Sequence, residues 1–349
     1  MAEEPLQRRL ERILLGGERK YTRLQVAELA GVPEERSKQL WRALGFAAAA
    51  DDDVVFTDAD VEAMRITDQL VEAGLLDRDL ETSVARAVGL HLSRLAEWQS
   101  GLLWSLIADH PELAADERQI GALVEGLLPQ LEHVQNFVWR RHLAAYAGRA
   151  LAAPDEQLEA RSEVVGFVDM VGYTRMTRRV GEAELSQVLE RFETLATEVI
   201  AECHGRVVKM IGDEVLFVAD EPVAAAEIAL TLTERTGADE QLPAVRAGMA
   251  LGRVLSRFGD VYGSVVNLAS RLTSIARPGT ILVDRELAGA LKDEPDYTVR
   301  SRRAVAVRGY SRVRPAALRR ARDTGRAFGS GQQLAADLLG LDPPRRGRG

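Results

Sequence analysis

The chain has 349 residues, a formal net charge of −8 and 46% hydrophobic residues, enough for about two domains with real cores. No apolar run reaches the roughly 18 residues of a membrane span, and the acidic start MAEEPLQRRLERILL lacks the basic and apolar regions of a secretory signal. The single cysteine, Cys203, excludes an intrachain disulfide and a cysteine-built metal site, so a cytoplasmic protein is expected.

The first half reads as helices. Leu6–Leu15 is a short amphipathic stretch ending at Gly16-Gly17. Arg23–Ala30 and Pro33–Leu44 form a helix–turn–helix-like pair around Gly31-Val32, and Phe46–Phe56 suits a small wing. Asp58 is the expected N-cap of a helix over Ala59–Ala73. Asp79–His110 is apolar on more than one face, which predicts a buried helix or one at a subunit interface. A helix over Glu117–Leu128 is expected to stop, with Pro129 starting the next one to about Leu151. Pro154 marks a boundary, so residues 1–150 are expected as one all-helical domain and 151–161 as a linker.

The second half alternates. Glu163–Asp169 reads as a buried strand, and Glu182–His204 as an amphipathic helix stopped by Gly205. Arg206–Ala219 reads as a hairpin turning at Gly212-Asp213, and Pro222–Thr236 as a helix. Ala244–Phe258 is a strand region, Val261–Ala276 a helix, Thr280–Val283 a strand and Asp284–Leu291 a helix. About two more strands are expected before Ala317. This order predicts an α+β fold with split β-α-β units over residues 162–320. Residues 321–349 are Gly- and Arg-rich and are expected as a mobile tail.

Charge is unevenly placed. Residues 1–150 hold 17 Lys and Arg against 25 Asp and Glu, whereas residues 151–349 hold 28 of each. An acidic first half argues against DNA binding, because that affinity comes from phosphate neutralisation.

Three segments carry chemistry. In Phe167-Val168-Asp169-Met170-Val171-Gly172-Tyr173-Thr174, an acid ends a buried strand beside a glycine turn and a helix start. The amides around Gly172, Tyr173 and Thr174 can receive phosphate oxygens, although Asp169 also suits a helix cap. In Lys209-Met210-Ile211-Gly212-Asp213-Glu214, a second acid sits at a hairpin tip, where Gly-Asp is also ordinary turn composition. Two such carboxylates, with no histidine or cysteine nearby, suit magnesium or manganese rather than zinc. In Asp260-Val261-Tyr262-Gly263-Ser264-Val265-Val266-Asn267-Leu268-Ala269-Ser270-Arg271-Leu272, Asn267 and Arg271 stand four apart on one helix face. Leu268 and Leu272 form the adjacent core stripe.

In this order and spacing the three segments resemble the catalytic domain of class III nucleotidyl cyclases, over roughly Arg161–Ala317. The resemblance implies a ferredoxin-like domain converting ATP to cyclic AMP and pyrophosphate with two Mg2+ or Mn2+ ions per site. It assigns Asp169, Asp213 and the Met170 carbonyl to the metals. Lys209 and Asp260 fall to the purine, as a set that reads adenine N1 and N6. Asn267 and Arg271 fall to the ribose and the transition state. It also implies a homodimer with two shared sites. A basic residue within Arg300–Arg308 is the one looked to for the terminal phosphates. The first half resembles the helical regulatory domain of actinobacterial-type members. Its effector is left between a proton, through His91, His110, His133 and His142, and a fatty-acid-like ligand. A nucleotide-binding module with little cyclase activity and a DNA-binding regulator stay open as alternatives.

Overall fold

The computed structural model describes residues 4–152, 160–307 and 310–321. The chain divides into two units, Met1–Ala153 and Pro154–Gly349. Residues 153–159, the middle of the expected linker, and the expected tail beyond residue 321 lie outside the described residues.

The first unit is helical. It holds α1 (Leu6–Leu14), α2 (Arg23–Ala30), α3 (Glu34–Ala43), α4 (Asp58–Glu72), α5 (Arg78–Ala108), α6 (Pro111–Ala114) and α7 (Glu117–Ala152). Gly31, at φ 74°, makes the turn between α2 and α3. The expected wing is only one backbone bridge, Tyr21 to Phe56. Phe56, Val26 and Val61 form a small core, with Trp41 packed on Phe56 at 4.5 Å between ring centroids.

Two sequence expectations fail here. The cap of α4 is Thr57, whose backbone N–H donates to Asp60 at 2.7 Å. Asp58 is free of that role and accepts instead from Lys20 Nζ at 2.6 Å and the Tyr21 hydroxyl at 2.9 Å. Pro129 lies inside α7, which is one helix rather than two. A proline removes a single ladder bond, and 36 residues of helix carry that local loss.

The second unit opens with β1 (Ala160–Met170), which starts two residues before the expected catalytic boundary at 162. There follow α8 (Tyr173–Met176), α9 (Glu182–Glu202), β2 (Arg206–Ile211), β3 (Glu214–Ala219), α10 (Pro222–Ala238) and β4 (Val245–Arg257). Then come β5 (Asp260–Tyr262), α11 (Ser264–Ile275), β6 (Ile281–Val283), α12 (Arg285–Ala290), β7 (Tyr297–Ser301), β8 (Val305–Val307), β9 (Tyr310–Val313) and β10 (Ala316–Arg320). The sheet order is β2-β3-β1-β4-β6-β10-β7, with β5 also on β4 and β8 paired separately with β9. Its first four strands are mutually antiparallel, and together with α9 and α10 they form the split β-α-β unit expected from the sequence. The left-handed stop after α9 is His204, at φ 60°, rather than Gly205. Gly205 is needed for space, because a Cβ there would stand 2.5 Å from Ile228 Cδ1. Strand β5 and two of the four closing strands were not anticipated; at three or four residues they are too short to leave a period-2 signature.

Alternation along the strands builds two cores. Val164, Val168, Val215, Phe217, Ala247 and Met249 face α9 and α10. Val165, Phe167, Leu216, Val218 and Ala250 face the other way, with Val261 and α11. Among the described residues no helix is long and apolar enough to cross a membrane.

Candidate active site

Because side chains alternate, Asp169 falls two residues beyond Phe167 on the α11 face of the sheet. Its ladder partners are Glu214 on β3 and Arg246 on β4, and both join it on that face. One step further, the Met170 N–H donates to the Asp213 carbonyl at 2.9 Å, which ties the hairpin tip to the end of β1. The tip is a two-residue loop with Gly212 at φ 62°, a conformation that suits glycine at the first central position. The strand end and the hairpin turn thus bring Asp169 and Asp213 together.

Arg246 and Glu214 were missed from sequence. The Arg246 Nε donates to Asp169 Oδ2 at 2.6 Å, and its Nη1 donates to the Ser274 carbonyl at 3.1 Å, near the end of α11. A cation suits that helix terminus. The basic group beside Asp169 is Arg246, whereas strand β7, which carries Arg300, is the far edge of the sheet. The signal was register: Arg246 directly opposes Asp169, and register is not visible until strands are paired.

The carboxyls disturb one another. Burial, then the charge of Asp169, pushes Asp213 upward. Burial, with the charges of Asp169 and Asp213, pushes Glu214 up to about 7. Half-buried carboxylates that repel one another make a natural seat for a hard divalent cation. Among the described residues no three ligating side chains stand preassembled around a metal, and Arg246 is paired with Asp169. An all-oxygen set of Asp169, Asp213 and the Met170 carbonyl could hold a hard divalent cation.

A second group forms across the hairpin of β4 and β5. Asp260 pairs with Arg257 on β4, and the hairpin carries it to Lys209 on β2, where Lys209 Nζ meets Asp260 Oδ2 at 2.6 Å. Val261, buried against Leu216 and Val218, fixes the hairpin there. The third group is on α11. Gly263 precedes the helix at φ 140°, and Asn267 and Arg271 follow on one face, the first exposed and the second half-buried. Ala269, Leu272 and Thr273 are buried on the opposite side. Helix and sheet approach closely at Gly248, where a Cβ would meet the Thr273 nitrogen at 2.1 Å. Gly172, Tyr173 and Thr174 begin α8 directly after β1; Gly172 is at φ 86°. Among the described residues no hydrogen bond or ion pair joins the side chains of these three groups to one another.

Residues 158–319 match the family described as Adenylate and Guanylate cyclase catalytic domain. An adenylate cyclase of Streptomyces coelicolor is 47% identical over 291 residues, which cover 83% of this chain and 76% of that one. An adenylate cyclase of Glutamicibacter nicotianae is 36% identical, covering 88% of this chain and 80% of that one. A pH-sensitive adenylate cyclase of Mycobacterium tuberculosis is 32% identical, covering 91% and 82%.

Proposed function

The chain belongs to the class III family of adenylate and guanylate cyclases, and from that premise we propose that it converts ATP to cyclic AMP and pyrophosphate at sites shared between two copies. The observation that carries the choice of ATP is the Lys209–Asp260 pair, a donor and an acceptor held side by side at 2.6 Å. A cation that donates to N1 and a carboxylate that accepts from the N6 amine match the edge of adenine and oppose that of guanine. The names of the relatives support the same reading.

In the reaction the ribose 3′-oxygen bonds to the α-phosphorus, and the bond from that phosphorus to the pyrophosphate oxygen breaks. The hydroxyl proton leaves to solvent. Two Mg2+ or Mn2+ ions held by Asp169, Asp213 and the Met170 carbonyl would acidify that hydroxyl and neutralise the phosphates. Asn267 orients the ribose, and Arg271 meets the charge that grows on the α-phosphate. The backbone of Gly172, Tyr173 and Thr174 receives phosphate oxygens. Arg246, displaced from Asp169 when the acid takes a cation, turns to the terminal phosphates.

The separation of the residues into distinct groups supports sharing: one copy gives the acids, and its partner gives the purine pair and the α11 face. The test is mixing. Asp169→Ala and Arg271→Ala chains, each inactive alone, should regain part of the activity together, since mixed dimers hold one intact site. Verified mixed dimers without activity would refute sharing. The presence of both acids favours a working cyclase over a silent nucleotide-binding module.

The helical unit is read as the regulator. A cavity of about 510 Å³ lies within it, walled by Leu40, Trp41, Phe56, Met64 and Val84, with Asp60 and Glu81 among its polar lining. It supports a small apolar ligand as effector, testable by a rise in Tm with a medium-chain fatty acid. The proton alternative draws on the name of the mycobacterial relative; here the four histidines are exposed along α5, α7 and the turn before α6. The DNA-binding alternative is disfavoured by α3, where Glu34 and Glu35 are exposed and Arg36 is engaged by Asp68 and Glu81.

A further inference from the structure

The Arg246 guanidinium has partners on two different elements. Its Nε donates to Asp169 Oδ2 at 2.6 Å on β1, and its Nη1 donates to the Ser274 carbonyl at 3.1 Å in the last turn of α11. The last carbonyls of a helix have no partners within it, and a cation there meets the negative end of the helix dipole. Helix α11 has no basic residue in its own last turn, and its C-cap, Ala276, leaves in an extended conformation. Arg246 on β4 therefore supplies the charged cap that α11 lacks.

The grip falls on one particular stripe. Asn267, Arg271 and Ser274 stand at i, i+4 and i+7 along α11, so they share a face. The Ser274 hydroxyl donates to the Arg271 carbonyl at 2.8 Å, which ties the capped residue to the turn that carries Arg271. On the opposite side Ala269, Leu272 and Thr273 are buried, and the close approach at Gly248 sets the distance from the sheet. Apolar packing has no direction of its own. The bond from Arg246 does, and it acts one turn from Arg271.

We infer that Arg246 is a positioning residue for Arg271, and so for the active site opposite the one whose acid it neutralises. The inference rests on the shared-site reading, in which the acids of one chain work with α11 of the other. Under that reading each Arg246 serves two sites: Asp169 of the first and, through the end of α11, Arg271 of the second. A guanidinium has five donors, so Nε can pass from Asp169 to a phosphate while Nη1 keeps the helix.

The test uses full-length mixed dimers with one live site, isolated through two affinity tags. One chain carries Asp213→Ala, which disables its acids and keeps the Asp169–Arg246 pair; the other carries Arg271→Ala. The live site then joins the acids of the Arg271→Ala chain to α11 of the Asp213→Ala chain. Adding Arg246→Met to the Asp213→Ala chain leaves the live site's acids and their own arginine untouched. The expected result is a fall in kcat on the order of tenfold, the scale of a small misplacement of a catalytic group, with KM for ATP within about twofold. An unchanged kcat, or a rise in KM alone, overturns the proposal. A mixed dimer that is inactive even with both Arg246 residues intact refutes the sharing itself, and the proposal falls with it. Hydrogen exchange in metal-free protein gives a readout independent of turnover. In the Arg246→Met chain the amides of residues 273–276 should exchange at least severalfold faster than in the parent. Equal rates, or an increase spread evenly over the chain, also overturn the proposal.

Discussion

The Arg246 guanidinium holds the Asp169 carboxylate at 2.6 Å across the β1–β4 ladder, so the acid assigned to the metals carries an internal counter-ion. A divalent cation must displace that arginine. In Arg246→Met the competitor is gone and Asp169 is left uncompensated. Half-saturation by Mg2+ should therefore fall, while turnover drops on the order of 100-fold because the phosphates lose a charged donor. Turnover against Mg2+ concentration reads both effects, and a fall in half-saturation together with a fall in maximal turnover is the expected signature.

Lys209 and Asp260 should govern the choice of base. Lys209→Glu combined with Asp260→Cys presents the set typical of family members that use GTP. The ratio of kcat/KM for ATP over GTP should fall by a factor of about 100 or more, as expected when a site's hydrogen-bonding partners are mismatched to the base. Assays with both nucleotides at equal concentration check it.

Glu214 gives a pH dependence. Its carboxyl stands at about 7 when folded against an ordinary 4.5. The folded chain therefore holds a proton that the unfolded chain releases, and stability declines as pH rises from about 4.5 through about 7. Glu214→Gln removes this cost. In metal-free protein its Tm should exceed that of the parent by a few degrees at pH 8, and the difference should close by pH 5. Melting curves at the two pH values decide it.

Gly248→Ala should separate positioning from fold. The new Cβ meets the Thr273 nitrogen and the Ala269 carbonyl, so α11 must shift outward. Overpacking of this kind costs about 1–3 kcal/mol. Because α11 carries Asn267 and Arg271, kcat should fall well beyond any change in KM for ATP.

The sequence made much of this architecture legible, and the limits have physical causes. The hairpin at Gly212-Asp213 and the helix face of Asn267 and Arg271 were readable because turn chemistry and helical spacing are local. Arg246 was not, since its meaning arises only when β4 is laid beside β1. Strand β5 was hidden in what read as the start of a helix, because its three residues owe their pairing to β4. Pro129 misled in the opposite direction: a breaker by local propensity, it sits inside a helix of 36 residues. The apolar faces of α5 read as those of a buried or interface helix, yet Trp98 and Leu102 are exposed in the chain, because periodicity gives the stripe and not what covers it.

Strand β4 carries Arg246 near one end, Gly248 two residues on, and at its other end Arg257, which pairs with Asp260. One strand therefore sets the counter-ion of the acids, the seat of the α11 helix and the reach of the purine pair. A slip of one residue would turn Arg246 to the opposite face, put a side chain where α11 needs none, and draw Asp260 away from Lys209. The thirteen residues of β4 behave as a ruler for the whole site. Insertions or deletions inside that strand should be far more damaging than substitutions along it, and a recombined chain should keep its cyclase site only if β4 is inherited whole.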